Sequence, residues 1–168
     1  MREHGYELEH LKTTYPEVQA DTIEETIVPG LQWLMERYDR PMMIDDSGLF
    51  IDGLKGFPGA YSAYVFKTIG CDGILRLMEG MKVRSARFEC CIGYMNPGGK
   101  PSISKGVSKG SISKEKAGSG GFGYDPVFIP EGYSKTFAQF EISEKNKISH
   151  RGRAIAEFLK ELPKLMPH

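Results

Sequence analysis

Every second residue from position 86 to position 94 is apolar, namely Ala86, Phe88, Cys90, Ile92 and Tyr94, which is typical of a half-buried β-strand. The turn signal Asn96-Pro97-Gly98-Gly99 follows, and a second strand is predicted around 103–112. The short apolar run 127–129 predicts a further, buried strand. This half of the chain therefore predicts neighbouring strands of one β-sheet.

The N-terminal part of the chain predicts a strand followed by a helix. The strand is expected from Tyr6 to Lys12. Asp21 is placed to cap a short turn, with Glu24 at the third helical position. Pro29 suits the first turn of the next helix, because the N–H that proline lacks has no partner there. The apolar residues that share one face of this helix are Leu31, Leu34, Met35 and Tyr38.

Strands and helices continue to alternate along the rest of the chain. The apolar run 42–44 predicts a buried strand that stops at the polar residues after it. Helices are predicted from Asp72 to Met81 and from Ser149 to Leu162. The sequence contains no internal repeat and no low-complexity linker. We therefore expect one α/β domain over residues 1–168, in which helices flank a mixed β-sheet.

Charge and cysteine content argue against several classes of protein. The 22 Lys and Arg residues balance 22 Asp and Glu residues, so no overall field favours nucleic acid or a membrane surface as a partner. No apolar run is long enough to span a bilayer, and the N-terminus has no signal-peptide pattern. Cys71, Cys90 and Cys91 lack the spacing of metal ligands, which predicts reduced thiols in a cytoplasmic protein.

Two adjacent carboxylates, Asp45 and Asp46, come directly after the predicted strand 42–44 and are followed by Ser47 and Gly48. Ligands of α/β proteins bind just beyond the carboxyl ends of buried strands. Carboxylates at that place can hold a hard divalent cation or deprotonate a water molecule. Asp-Ser-Gly is also an ordinary turn sequence, so spacing alone leaves both a turn and a catalytic site open.

A glycine-rich segment, 118–123, formally matches G-x-G-x-x-G, but a dinucleotide fingerprint needs a helix after it, and here Pro126 and another strand follow. Phe122 and Tyr124 could offer aromatic faces to a nucleobase, Gly123 could let the backbone approach it, and Asp125 could accept its N–H groups. The alternative is a connection between strands whose aromatic side chains enter the core. Both interpretations stay open.

Ser149 is a suitable N-cap for the last helix, which would place His150 and Arg151 in its first turn. Donors at that positive end of the helix dipole favour an anion or a carbonyl oxygen. Lys145 could extend this group of donors. Solvated basic residues at a helix start are the alternative.

Two further residues are candidates for phosphate and metal binding. Glu17 is a loop carboxylate that could join Asp46 on a metal ion. Ser47 lacks the G-x-S-x-G surroundings of a nucleophile, so a hydroxyl that contacts phosphate is the better interpretation.

The order of these motifs along the chain resembles that of the inosine triphosphate pyrophosphatase family, and most closely its archaeal-type members. The matching segments are Tyr15-Pro16-Glu17-Val18-Gln19, Asp45-Asp46-Ser47-Gly48-Leu49, Gly56-Phe57-Pro58-Gly59-Ala60-Tyr61-Ser62, Gly120-Gly121-Phe122-Gly123-Tyr124-Asp125-Pro126 and Glu144-Lys145-Asn146-Lys147-Ile148-Ser149-His150-Arg151. Five motifs in register are specific, although each one alone is weak.

The resemblance implies Mg²⁺-dependent hydrolysis of ITP, dITP and XTP to the monophosphate and pyrophosphate. It also implies an elongated mixed sheet with two lobes, an active site in the groove between them, and a homodimer. Asp46 would accept the proton of the attacking water and bind the metal, with Glu17 as a second metal ligand. The residues implied to contact the substrate are Ser47, Phe122, Gly123, Tyr124, Asp125, Lys145, His150 and Arg151.

One family motif does not occur in these 168 residues. Family members carry a Thr/Ser-x-Asn-x-x-Lys segment near the N-terminus that holds the triphosphate. We expect either that this sequence starts late or that the protein lacks the phosphate cradle. The second case predicts a catalytically weakened protein that binds purine nucleotides.

Overall fold

The computed structural model describes residues 7–16, 18 and 20–165. In these residues, five strands form one sheet in the spatial order β2-β1-β3-β4-β5. The strands are β1 (Met42–Ile51), β2 (Pro58–Gly59), β3 (Ser85–Met95), β4 (Ser102–Ile112) and β5 (Phe128–Pro130). The helices are α1 (Ile23–Met35), α2 (Ser62–Leu77), α3 (Ile142–Ile148) and α4 (His150–Leu165). The expected α/β class, with helices flanking a sheet, is confirmed, and each strand pairing in the described residues is antiparallel.

The predicted strands of the second half, 86–94, 103–112 and 127–129, correspond to β3, β4 and β5. The prediction that β1 stops at Asp45 is wrong, because β1 continues to Ile51 and pairs with β3 along its whole length. Asp45 lies opposite Ile92 and Gly48 opposite Glu89 in this ladder. The backbone hydrogen bonds to β3 keep the polar residues extended where their side chains alone would favour a turn.

Helix α1 covers one face of the sheet. Its Ile23, Ile27 and Leu31 are fully buried and pack with Ile44 of β1 and Cys91 of β3. A side chain in place of Gly93 would collide with Ile27, since a Cβ there would lie 2.2 Å from Ile27 Cγ2. The small residue therefore lets α1 lie directly on β3.

The start of α1 differs from the prediction. Thr22 caps the helix together with Glu25 in a reciprocal capping box, whereas Asp21 and Glu24 were expected to form the cap of a short turn before the helix. Both pairs fit the spacing of a capping box, and the structure uses Thr22 with Glu25. Pro29, expected in the first turn, lies inside the helix.

Helix α4 covers the opposite face of the sheet. Ala154, Phe158 and Leu162 of α4 pack with Cys90 and Ile92 of β3. Because adjacent strand residues point to opposite faces, Cys90 and Cys91 belong to different layers of the core. The sheet thus separates the surroundings of α1 from those of α4.

Two predictions from the first half need correction. Helix α2 begins at Ser62 rather than at Asp72, and its backbone is non-helical at Gly70, so the predicted helix matches only the part after this kink. No strand forms over residues 7–12, and Tyr6 lies outside the described residues. Within the described part of the chain, no helix is both long and apolar enough to cross a membrane.

Candidate functional site

Asp46 lies in the middle of β1, half-buried, on the face that α1 covers. Both of its carboxylate oxygens accept hydrogen bonds. Oδ1 accepts from the backbone N–H of Ser47 at 2.7 Å, and Oδ2 accepts from the hydroxyl of Thr26 in α1 at 2.8 Å. Two donors therefore fix the carboxylate while leaving further lone pairs available.

Asp45, one residue earlier, meets a different partner. Arg151, at the start of α4, donates from Nε to Asp45 Oδ2 at 2.9 Å. The Arg151 guanidinium carbon also lies 5.1 Å from the centre of the Phe122 ring. The pair thus connects the strand that carries Asp46 with the helix start and the glycine-rich loop.

Phe122, Asp125 and Lys145 form a cluster in this loop and in α3. Asp125 is only 1% exposed, and its carboxylate accepts the Phe122 N–H at 2.7 Å and pairs with the Lys145 ammonium. The same ammonium lies 4.6 Å from the centre of the Phe122 ring. The Phe122 ring itself is 57% exposed, so one aromatic face lies at the surface beside two cations.

Gly121 makes the turn of this loop possible. Its φ is +73°, which L side chains rarely adopt, and a Cβ there would lie 2.0 Å from Asp125 Oδ2. A side chain at this position would therefore displace the carboxylate that holds Phe122 and Lys145.

One aromatic residue of the loop is placed for base stacking, and the other packs in the core. Phe122 is exposed, as base stacking requires, whereas Tyr124 is buried and its hydroxyl donates to the Ser62 carbonyl at 3.1 Å. The prediction that Tyr124 offers a face to a base is wrong, because this ring packs edge-to-face on Phe66. Gly123 precedes it, and its carbonyl accepts from the Cys71 thiol at 3.5 Å.

Ser149 caps α4, as predicted, by accepting the Gly152 N–H at 3.1 Å. His150 is 2% exposed, and its ring stacks on Phe88 of β3 at 4.5 Å between centres. Neither ring nitrogen has a hydrogen-bond partner within the described structure. A Cβ on Gly106 would lie 2.1 Å from the His150 carbonyl oxygen, so the glycine lets the first turn of α4 rest on β4.

Burial lowers the pKa of His150 from 6.5 to about 3, and the nearby cations Arg151 and Lys145 add to this effect. The imidazole is therefore neutral at physiological pH. A neutral ring offers one N–H donor and one acceptor, and both lack partners among the described groups. Both nitrogens are buried, so they have neither a protein partner among the described groups nor contact with solvent.

We expect His150 to make the protein less stable in mild acid. In the unfolded chain His150 binds a proton below about pH 6.5, whereas in the folded chain it does so only near pH 3. The contribution of the neutral ring to the free energy of unfolding is therefore complete above pH 6.5 and is lost as the pH falls from 6.5 towards 3. Urea unfolding should show a loss of about 2 kcal/mol between pH 7 and pH 5 that His150→Phe does not show. Phenylalanine can still stack on Phe88 and does not titrate. Equal losses in both proteins would contradict the assignment.

The structure brings Phe122, Asp125, Lys145 and Arg151 into direct contact, with His150 next to Arg151 in the chain. Within the described residues, Asp46 accepts hydrogen bonds from Thr26 and Ser47 and not from this cluster, and it is connected to the cluster through its neighbour Asp45. Ser47 is half-buried and, by strand alternation, its side chain points to the face opposite that of Asp46. Glu17 lies outside the described residues.

Sequence reasoning missed the partners of the two aspartates. Thr26 belongs to a helix whose start was predicted elsewhere, and Asp45 was given no partner. Thr26 is 20 positions from Asp46, and Arg151 is 106 positions from Asp45, so sequence spacing does not indicate either contact. Both contacts depend on how α1 and α4 pack on opposite faces of the sheet.

Two relatives match most of the chain. The dITP/XTP pyrophosphatase of Thermococcus kodakarensis is 55% identical over 154 residues, which are 92% of this chain and 83% of that protein. The dITP/XTP pyrophosphatase of Pyrococcus horikoshii is 52% identical over 158 residues, which are 94% of this chain and 84% of that protein.

Solved structures show the same fold. The Ham1 protein of Staphylococcus aureus matches with a TM-score of 0.84 at 30% identity, covering 91% of this chain and 82% of that one. A nucleoside-triphosphatase, or dITP/XTP pyrophosphatase, of Mycobacterium abscessus matches with a TM-score of 0.75 at 32% identity, covering 89% and 81%. The model of the Ham1 family matches residues 2–161, and the chain belongs to this family.

Proposed function

We infer that this chain hydrolyses non-standard purine nucleoside triphosphates, namely ITP, dITP and XTP, to the monophosphate and pyrophosphate. The observation that carries this proposal is the fixed carboxylate of Asp46, one residue from the Asp45–Arg151 pair that leads to the exposed Phe122 ring. Asp46 offers a proton acceptor on the α1 side of β1, and the neighbouring Asp45 holds Arg151 and thereby the exposed Phe122 ring, where a flat base could stack, on the α4 side. The relatives that carry the same activity in their names support the choice of substrate.

Donors beside Phe122 explain a preference for 6-oxo purines. Hypoxanthine and xanthine carry an acceptor at position 6, where adenine carries an amino donor. The Arg151 guanidinium has N–H groups beyond the one that Asp45 accepts, and the neutral His150 ring offers another donor. An adenine amino group facing such donors would stay unpaired, and buried mismatches of this kind discriminate strongly.

The carboxylate of Asp46 suits Mg²⁺ by its chemistry, because this ion prefers oxygen ligands. The described residues contain no cluster of three or more His, Cys, Asp or Glu side chains that could enclose a metal. Mg²⁺ commonly uses one or two carboxylates together with water and substrate phosphates, so a single well-held aspartate fits such a site. The family resemblance adds Glu17 as a second ligand. When bound, the ion supplies positive charge to the leaving pyrophosphate.

In the proposed reaction, Asp46 accepts a proton from the attacking water. A water oxygen forms a bond with the α-phosphorus and gives its proton to the Asp46 carboxylate. The bond from the α-phosphorus to the bridging oxygen breaks, and its electron pair leaves with pyrophosphate. The monophosphate keeps the oxygen of the water, and Asp46 later releases the proton to solvent.

Pyrophosphate release from ITP tests the proposal. We expect one pyrophosphate and one IMP per ITP with Mg²⁺, little product with EDTA, and a rate with ATP at least about 100-fold lower. Anion-exchange chromatography separates these products from IDP and inorganic phosphate. Binding of ITP without turnover would contradict the proposal and favour the weakened nucleotide-binding protein.

Replacing Asp45 with Asn is expected to weaken substrate binding more than catalysis. The variant removes the charge that holds Arg151 Nε, and exposed pairs of this kind contribute up to about 1 kcal/mol. We expect KM for ITP to rise by up to about fivefold while kcat changes less than twofold. Steady-state kinetics measure both values. A fall in kcat with an unchanged KM would contradict the role of Asp45 as the partner of a base-binding arginine.

The homodimer and the cytoplasmic location implied by the resemblance stay predictions. Sedimentation equilibrium on the purified chain distinguishes a dimer of about twice 18.8 kDa from a monomer.

A further inference from the structure

Thr26 contacts two acceptors with a single hydroxyl proton. Its Oγ1 lies 2.8 Å from the carbonyl oxygen of Ile23 and 2.8 Å from Asp46 Oδ2. A hydroxyl donates one hydrogen bond at a time, so the two acceptors compete for it. The Asp46 carboxylate is the stronger acceptor when ionised, because hydrogen bonds to charged groups are shorter and stronger. The Ile23 carbonyl keeps its position in the helix whichever acceptor receives the proton.

Packing of α1 fixes where this hydroxyl lies. Thr26 stands between Ile23 and Ile27, which are 0% and 1% exposed and anchor α1 on the sheet. Gly48 of β1 leaves room for this approach, since a Cβ there would lie 3.0 Å from Ile23 Cδ1 and 2.4 Å from the Gly59 carbonyl oxygen. The distance between Thr26 and Asp46 therefore follows from the docking of a rigid helix and not from a flexible loop.

We propose that Thr26 is a positioning residue that sets the orientation of the Asp46 carboxylate. Oδ2 is held from α1 by Thr26 and Oδ1 is held from its own strand by the Ser47 N–H, so the plane of the carboxylate is fixed from two sides. This role rests on the proposed function only in that Asp46 is the residue that acts on the water. Thr26 lies outside the five segments in which the chain resembles the family.

Two substitutions separate this role from a structural one. Thr26→Val keeps the shape of the side chain and removes the hydroxyl, whereas Thr26→Ser keeps the hydroxyl. With ITP and Mg²⁺, we expect kcat of the valine variant to fall by about 10- to 100-fold with KM within twofold, and the serine variant to stay within about threefold of the wild type. The urea midpoints of all three proteins should agree, because the helix hydrogen bonds of α1 do not need this hydroxyl. Thr26→Ala replaces the valine variant if that protein does not fold.

Crystal structures without nucleotide give a readout that does not depend on turnover. In the valine variant the Asp46 side chain is expected to leave its present rotamer, and in the serine variant to keep it. An unchanged Asp46 rotamer in the valine variant overturns the proposal, whatever the activity. A rotated carboxylate with full kcat, or a loss of kcat that serine does not restore, overturns it as well. If the wild-type protein does not hydrolyse ITP, the proposed function is wrong. The Asp46 rotamers in the two variants then still show whether Thr26 orients Asp46.

Discussion

Replacing Asp46 with Asn should lower kcat for ITP by about 1000-fold or more. The amide cannot take a proton from water, and general-base catalysis contributes roughly 100- to 10,000-fold. The loss of a negative charge from the metal site adds to the effect. Anion-exchange analysis of products over several hours measures the residual turnover. This is the largest change in activity that the arrangement predicts for a single substitution.

The same substitution should leave the fold intact. The asparagine Oδ1 can still accept the Ser47 N–H, and its Nδ2 can donate to Thr26 Oγ1 while that hydroxyl donates to the Ile23 carbonyl. We expect the free energy of unfolding in urea to change by less than about 1 kcal/mol. Asp45→Asn is the matched control, with the same chemical change one residue away on the other face of the strand. Similar losses of kcat in both variants would show that Asp46 has no special role.

The sheet was predictable where one periodicity governed a whole strand. The alternation from 86 to 94 indicates β3 as a strand, but the expected half-buried strand is buried on both faces, because α1 covers one face and α4 the other. β1 was predicted only to residue 44, because its polar residues have partners on both faces that the sequence does not reveal. Asp45 meets an arginine of α4, and Asp46 meets a threonine of α1. Tertiary contacts thus keep the strand extended against its local turn preference.

The candidate site was predictable as a set of residues but not as an arrangement. The motifs named Phe122, Asp125, Lys145 and Arg151, which do form one cluster. Composition could not show that the Asp125 carboxylate is already occupied by Lys145 and the Phe122 N–H, since both partners depend on the turn at Gly121. Both contacts engage Oδ2 of Asp125, and a role for this residue as an acceptor for a base stays a prediction. In the folded protein its first task is to hold the loop.

The buried pair of Lys145 and Asp125 should give the largest loss of stability among single substitutions in the site. The two side chains are 11% and 2% exposed. Lys145→Met therefore leaves a buried carboxylate that keeps the Phe122 N–H as its donor among the described residues, and we expect the free energy of unfolding to fall by about 3 kcal/mol. Adding Asp125→Asn removes the uncompensated charge while keeping an acceptor for that N–H, and should restore about half of the loss. Lys160→Met is the matched control, since Lys160 pairs with Glu157 at the surface and should change stability by less than about 0.5 kcal/mol. Urea unfolding of the wild type, Lys145→Met, the double variant and Lys160→Met measures these differences. A double variant less stable than Lys145→Met would mean that the aspartate charge has another partner, and the account of the loop would then be wrong.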